Sequence, residues 1–167
     1  TSSASSKLIH GGLRYLETYD LKLVRKALKE RQMLLHAAPH RVWPLRFGVP
    51  VYADSRNGTL KLKAGLTLYD ILAEFPDEQM RHRHFDRAHF SEHFPFLDEA
   101  ALKGGFTYGD AQTDDARLVL ELVAGAMAQG AVCVNYAKLI AWNEDRSRVC
   151  GAKVRDQTSG EEIEVHA

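Results

Sequence analysis

Thr1-Ser2-Ser3-Ala4-Ser5-Ser6-Lys7-Leu8-Ile9-His10-Gly11-Gly12-Leu13-Arg14-Tyr15-Leu16-Glu17 opens the chain and sets how the remainder is read. It crowds hydroxyl side chains, a lysine, a histidine, a glycine pair and an arginine among apolar Leu8, Ile9, Leu13 and Leu16. That mixture suits a site and not a core. The hydroxyls and backbone N–H groups are donors for an anion such as phosphate, and Lys7 adds positive charge. Gly11-Gly12 lets the backbone approach a flat ligand closely or take a positive φ. Arg14 offers a planar fork to a phosphate or carboxylate, and His10 can exchange a proton near neutral pH. The other reading is a Ser-rich tail running into an ordinary helix start. Leu8-Ile9 and Leu13 argue against it, because a free tail has little use for apolar residues.

Moving outward, Leu21, Val24, Leu28 and Leu35 recur at helical spacing, with Lys22, Arg25, Lys26, Lys29, Glu30 and Gln32 largely on other faces. This predicts an amphipathic helix over 20–38, ended before Pro39, with a solvated basic face. Residues 40–53 run apolar in short pieces broken by Pro44 and Pro50, which predicts one or two edge strands. Asn57-Gly58 marks a turn. Residues 66–75 read as a short helix with Leu68, Ile71, Leu72 and Phe75 on one side. Arg46 is either a second phosphate clamp or the partner of a surface carboxylate.

Between 76 and 102, His82, His84, His89 and His93 gather near Asp86 and Glu92. The spacing of His89 and His93 could set two imidazoles on a zinc. No thiolate is near in sequence, and Phe85, Phe90, Phe94 and Phe96 offer a packing role instead. The segment therefore reads as an insertion with half-exposed aromatics and no metal.

Gly104-Gly105-Phe106-Thr107-Tyr108-Gly109-Asp110 reads as a strand and turn, after which Thr113 or Asp114 caps a helix. Its apolar Ala116, Val119, Leu120, Leu122, Val123, Ala126 and Met127 surround most of the circumference, so it is expected to be buried on several sides. Gly130 ends it. Ala131-Val132-Cys133-Val134 is then expected as a buried strand, completing a β-α-β crossover with parallel pairing. Residues 137–142, 150–156 and 161–165 predict an antiparallel meander.

Composition narrows the class. The 167 residues carry 22 Lys plus Arg and 22 Asp plus Glu, for zero net charge, so nothing calls for nucleic acid. The 45% apolar content fits a globular domain. Cys133 and Cys150 lack a pairing motif and read as reduced cytoplasmic thiols. No apolar run is long enough to cross a bilayer.

The opening stretch resembles the second flavin-contacting segment of the FAD-dependent, quinone-linked glycerol-3-phosphate dehydrogenases. Ala38-Pro39-His40 with Trp43-Pro44-Leu45-Arg46-Phe47, and residues 104–110 leading into Thr113-Asp114-Asp115-Ala116-Arg117-Leu118, resemble the same family. The family's Gly-x-Gly-x-x-Gly turn is missing, so the chain reads as an internal piece of a longer protein. The implied fold class is α/β, part of a glutathione-reductase-type or D-amino-acid-oxidase-like FAD oxidoreductase. It would combine the crossover unit, the meander and further helices.

The resemblance divides the chain into an FAD- and substrate-contacting segment with the long helix (1–50), a His-rich helical insertion (51–103), and a crossover unit with antiparallel strands (104–167). It places Ser5, Ser6 and Lys7 along the FAD pyrophosphate and ribityl chain, with Leu8 and His10 at the flavin ring. A backbone contact to adenine falls near Ala137. Arg14 and Tyr15 face the substrate, with His10 and Arg14 as the catalytic pair. The implied reaction oxidises sn-glycerol 3-phosphate to dihydroxyacetone phosphate and passes electrons to quinone. The protein is then cytoplasmic, with peripheral association at the inner face of the cell membrane. Two alternatives are an oxidase that uses oxygen and a non-enzymatic domain with a metal bound at the His cluster.

Overall fold

The computed structural model describes residues 4–166 and divides into two compact units, Thr1–Val119 and Leu120–Ala167. The hydroxyls of Thr1, Ser2 and Ser3 lie outside the described residues.

The first unit is built on β4 (Leu102–Thr113). On one edge it pairs antiparallel with β2 (Val42–Tyr52), from Val42 opposite Thr113 to Tyr52 opposite Leu102. On the other edge it meets β1 (Leu8–Ile9) at Ala111 and Gln112, and β3 (Arg83–Asp86) at residues 104–107. The prolines do not split β2. Pro44 and Pro50 are tolerated because β2 is an edge strand with only one neighbour.

Alternation along β4 puts Phe106, Tyr108 and Asp110 on one face. α1 (Leu21–Ala37) and α2 (Thr59–Leu72) supply the residues that pack against it. Asp20 starts α1 as expected, its carboxylate accepting the Leu23 N–H at 3.1 Å. Val24 and Leu28 pack with Tyr69, and Leu66 packs with Val51 and Phe106, while Leu13 and Tyr108 touch both groups. Each such buried side chain contributes roughly 1.5–3 kcal/mol.

α2 differs from expectation. It begins at Thr59 and buries Leu66, Tyr69 and Asp70, whereas Ile71 and Phe75 are 48% and 65% exposed. Leu66 and Tyr69 meet β4 and Asp70 meets His82, while of the expected stripe Leu68 and Leu72 are half-buried and only Ile71 and Phe75 face solvent. α3 (Arg87–His93) is capped by Asp86, which accepts the His89 N–H at 2.9 Å. Its Phe90 fills the space that a side chain at Gly105 would need, since a Cβ there would lie 2.4 Å from the ring.

α4 (Asp115–Ala128) follows β4, with Asp114 accepting the Arg117 N–H at 3.3 Å. The expected burial of this helix is not found, because none of its residues is buried. The crossover is corrected as well. Residues 131–134 form no strand, and Val132 and Val134 are 89% and 72% exposed. Both edges of β4 are taken by antiparallel neighbours, so it offers no place for a parallel return strand. Among the described residues all strand pairing is antiparallel.

In the second unit, β5 (Ala137–Asp145), β6 (Arg148–Asp156) and β7 (Glu162–His166) form the expected antiparallel meander. Arg146 and Ser147, at φ 47° and 66°, make its first two-residue turn.

Candidate functional site

The opening stretch folds as a short strand, a glycine turn and a 3-10 turn. β1 pairs with the end of β4, and the Lys7 carbonyl accepts the Thr113 N–H at 2.9 Å. Lys7 itself takes φ 61°, uncommon for a residue with a Cβ. That turn directs Lys7 Nζ to Asp115 at 2.6 Å, and the Ser5 hydroxyl donates to the same carboxylate. These two donors hold the Asp115 carboxyl below its usual range, Lys7 first and Ser5 second. Ser6 is exposed. Ala137 opens β5 in the second unit, exposed and opposite Asp156.

Leu8, His10, Arg14 and Tyr15 come together. With Gly12, Leu13, Phe47, Tyr108 and Asp110 they line a cavity of about 360 Å³. Its geometry depends on the glycine pair. Gly12 sits at φ 70°, a conformation that residues with a Cβ resist, and starts the 3-10 turn Leu13–Leu16 carrying Arg14 and Tyr15. A Cβ on Gly11 would stand 2.4 Å from Leu28 Cδ2 and 2.5 Å from the Tyr69 hydroxyl. Only glycine lets the chain pass there.

Beneath the turn lies a buried polar chain that sequence reasoning missed. The Gly11 N–H donates to the Tyr69 hydroxyl at 2.8 Å. Tyr69 donates to the Asp110 carboxylate, with its oxygens at 3.0 and 3.1 Å. Arg31 Nη1 donates to Asp110 Oδ1 at 2.5 Å and to the Gly109 carbonyl at 3.0 Å. Arg31 and Asp110 are only 1% and 2% exposed. Burial raises the Asp110 carboxyl, opposed by Arg31, Tyr69 and Gly11. Burial also raises the Tyr69 phenol, with Asp110 adding to the effect. A signal for Arg31 existed, since it continues the stripe of Val24 and Leu28.

On the other side of the 3-10 turn, Leu13, Arg14 and Tyr108 also line a second cavity of about 720 Å³ with Arg56, Asn57, Lys61, Leu62 and Leu68. Glu17 sits among these charges. Its carboxyl is lowered first by the Asn57 hydrogen bond and then by Arg56, Lys61 and Arg14. Burial pushes the Tyr108 phenol up to about 12, and its ring stacks on Phe47 with centroids 5.4 Å apart.

Arg46 bonds to backbone and a hydroxyl in place of the expected surface carboxylate. It donates to the carbonyls of Gln79 and Arg81 and to the Thr107 hydroxyl, fastening 79–81 to the sheet. The histidines are partnered separately. His82 Nδ1 lies 2.7 Å from Asp70, His89 pairs with Asp86, and His93 Nδ1 contacts the His89 carbonyl. The His84 ring stands 4.8 Å from that of Phe106. Among the described residues, no group of three or more His, Cys, Asp or Glu is placed to hold a metal ion. Nor is any helix among them long and apolar enough to cross a membrane.

Comparison with known proteins gives a family match over residues 1–167, to FAD dependent oxidoreductases. The chain is 41% identical over 169 residues to a glycerol-3-phosphate dehydrogenase of Synechocystis sp., covering 100% of this chain and 30% of that protein. It is 35% identical over 171 residues to an alpha-glycerophosphate oxidase of Enterococcus casseliflavus, covering 100% of this chain and 28% of the relative. In structure it is similar to the glycerol-3-phosphate dehydrogenase from Bacillus halodurans complexed with FAD. That likeness has a TM-score of 0.66 at 27% identity, over 100% of this chain and 25% of the other. The chain thus spans less than a third of the length of these proteins.

Proposed function

This chain belongs to the FAD dependent oxidoreductase family, and we propose that it is an internal segment of an enzyme that oxidises glycerol 3-phosphate to dihydroxyacetone phosphate. The observation carrying this reading is the cavity at which a proton acceptor, His10, and a phosphate-binding fork, Arg14, meet across a glycine turn. The limited coverage of the relatives and the bare apolar α4 support a longer parent protein.

The residues present fit one part of an FAD. The glycines are packed against Leu28, Tyr69 and Tyr15, so a flat ring would lie in the cavity beside Leu8 and His10, and exposed Ser6 offers a hydroxyl further along while Ser5 donates to Asp115. Lys7 balances Asp115 there. The chain has no Gly-x-Gly-x-x-Gly turn, so these residues do not supply a helix N-terminus for the pyrophosphate. In this reading Ala137 lends backbone to the adenine. Bound FAD supplies the hydride acceptor.

The chain's own residues do the rest. Arg14 binds the phosphate with paired N–H donors and Tyr15 bounds the substrate. His10 takes the proton from the secondary hydroxyl, at an imidazole nitrogen, as the C–H bond of the carbon bearing that hydroxyl is broken. Electrons then pass to quinone, with the protein peripheral on the cytoplasmic face of the cell membrane. The oxidase among the relatives keeps oxygen as the competing acceptor.

Anaerobic addition of glycerol 3-phosphate to the flavin-loaded full-length protein tests the reading. The yellow absorbance should bleach, and return faster with a short-chain quinone than with oxygen. A bound flavin that stays yellow refutes the substrate, and faster return with oxygen selects the oxidase.

A further inference from the structure

The turn that carries His10 and Arg14 is tied to the core by a backbone N–H, beyond the strand pairing before it and the packing of Leu13 after it. The Gly11 N–H donates to the Tyr69 hydroxyl at 2.8 Å, and that hydroxyl in turn donates a hydrogen bond to Asp110. Gly11 N also stands 3.4 Å from Asp110 Oδ1. Asp110 is then held by Arg31, on a different helix from Tyr69. One chain of contacts therefore joins the turn to α2, β4 and α1. Hydrophobic contacts alone would not define the turn's position this tightly, because they lack direction. A hydrogen-bond chain ending in a buried guanidinium does.

A buried ion pair is a weak source of stability, since desolvation offsets most of its attraction. Arg31 even leaves its Nε without a partner in the core. An apolar residue at 31 would extend the Val24 and Leu28 stripe without that cost. We propose that Asp110, oriented by Arg31 and acting through Tyr69, is a positioning residue. It fixes the Gly11–Gly12 turn so that His10 and Arg14 face one cavity. The inference rests on reading that cavity as the substrate site. Asp110 borders the cavity, yet its donors come from the protein, so it works through the turn and takes no part in bond breaking.

The test uses the full-length, flavin-loaded protein with Tyr69→Phe, which deletes a single hydroxyl, and Asp110→Asn, which keeps an acceptor but removes the charge. Phe90→Ala serves as a core control, since Phe90 is buried against Gly105 and Phe94, away from the turn. Amide exchange at 8–16 is read without substrate, beside kcat and KM for glycerol 3-phosphate. Tyr69→Phe should raise exchange at Gly11 at least tenfold, lower kcat at least tenfold and raise KM at least threefold, because the turn carries both His10 and Arg14. Asp110→Asn should do the same to a smaller degree. Phe90→Ala should lower the melting temperature more than Tyr69→Phe while leaving kcat within twofold. Unchanged exchange at Gly11 in Tyr69→Phe overturns the proposal, as does faster exchange with unchanged kcat. If the parent protein does not turn over glycerol 3-phosphate, the functional reading fails by itself, and the exchange data still decide whether this chain holds the turn.

Discussion

Helices α1 and α4 have opposite compositions and opposite fates. α1 is crowded with Lys, Arg and Glu, yet Val24, Leu28 and Arg31 are 0%, 1% and 1% exposed. α4 is apolar around most of its circumference and buries nothing, with Leu120, Leu122 and Met127 66%, 66% and 56% exposed. Burial thus follows from the neighbours that a chain supplies, and a narrow stripe with a sheet face opposite it outweighs a wide one without cover. The narrow stripe of α1 also carries a charge inward, which its composition alone would not suggest.

The sharpest way to break this contrast is to unpair the buried charge. Asp110→Ala leaves the Arg31 guanidinium without its carboxylate in the core and should cost about 3–5 kcal/mol in urea unfolding. A loss under 1 kcal/mol would mean that water reaches Arg31. The contrast sharpens with two leucine truncations. Leu28→Ala should destabilise by about 2–5 kcal/mol, and Leu122→Ala by no more than about 0.5 kcal/mol. Equal costs would show that α4 is covered.

The smallest effect concerns the meander, whose charges are on the surface. Lys153 and then Arg155 hold the Glu162 carboxyl down at about 2, against an ordinary 4.5. A depressed carboxyl stabilises the folded state above its unfolded pKa. That contribution should fade only as pH falls from about 4.5 toward 2. Side-chain NMR titration of Glu162 with a midpoint near 4.5 would remove the ion pairs from the folded state.

Local chemistry was the readable part of this sequence. Asp20 and Asp114 cap where short acidic side chains should, Gly130 follows α4, and the meander's turns fall at residues with turn character. The family, too, was legible in residues 1–17 and 104–118. What escaped was long-range. Tyr69, Asp110 and Gly11 are far apart in sequence, and nothing local marks them as one chain of hydrogen bonds. α2 is turned so that Leu66 and Tyr69 meet β4 and Ile71 stays exposed, a rotation that periodicity does not fix. The crossover failed because strand partners, which periodicity does not reveal, already filled both edges of β4. Arg14 and His10 were singled out from residue type, but their shared cavity with Tyr108 and Phe47 needed the sheet register.

The most direct measurement is an anaerobic glycerol 3-phosphate titration of the flavin-loaded full-length protein, parent against Arg14→Ala. Losing a charged hydrogen-bonding partner should cost about 2–5 kcal/mol of substrate binding. The variant should therefore keep its flavin but need at least thirtyfold more substrate to bleach it. Identical titration curves would take Arg14 out of the substrate site and contradict the account.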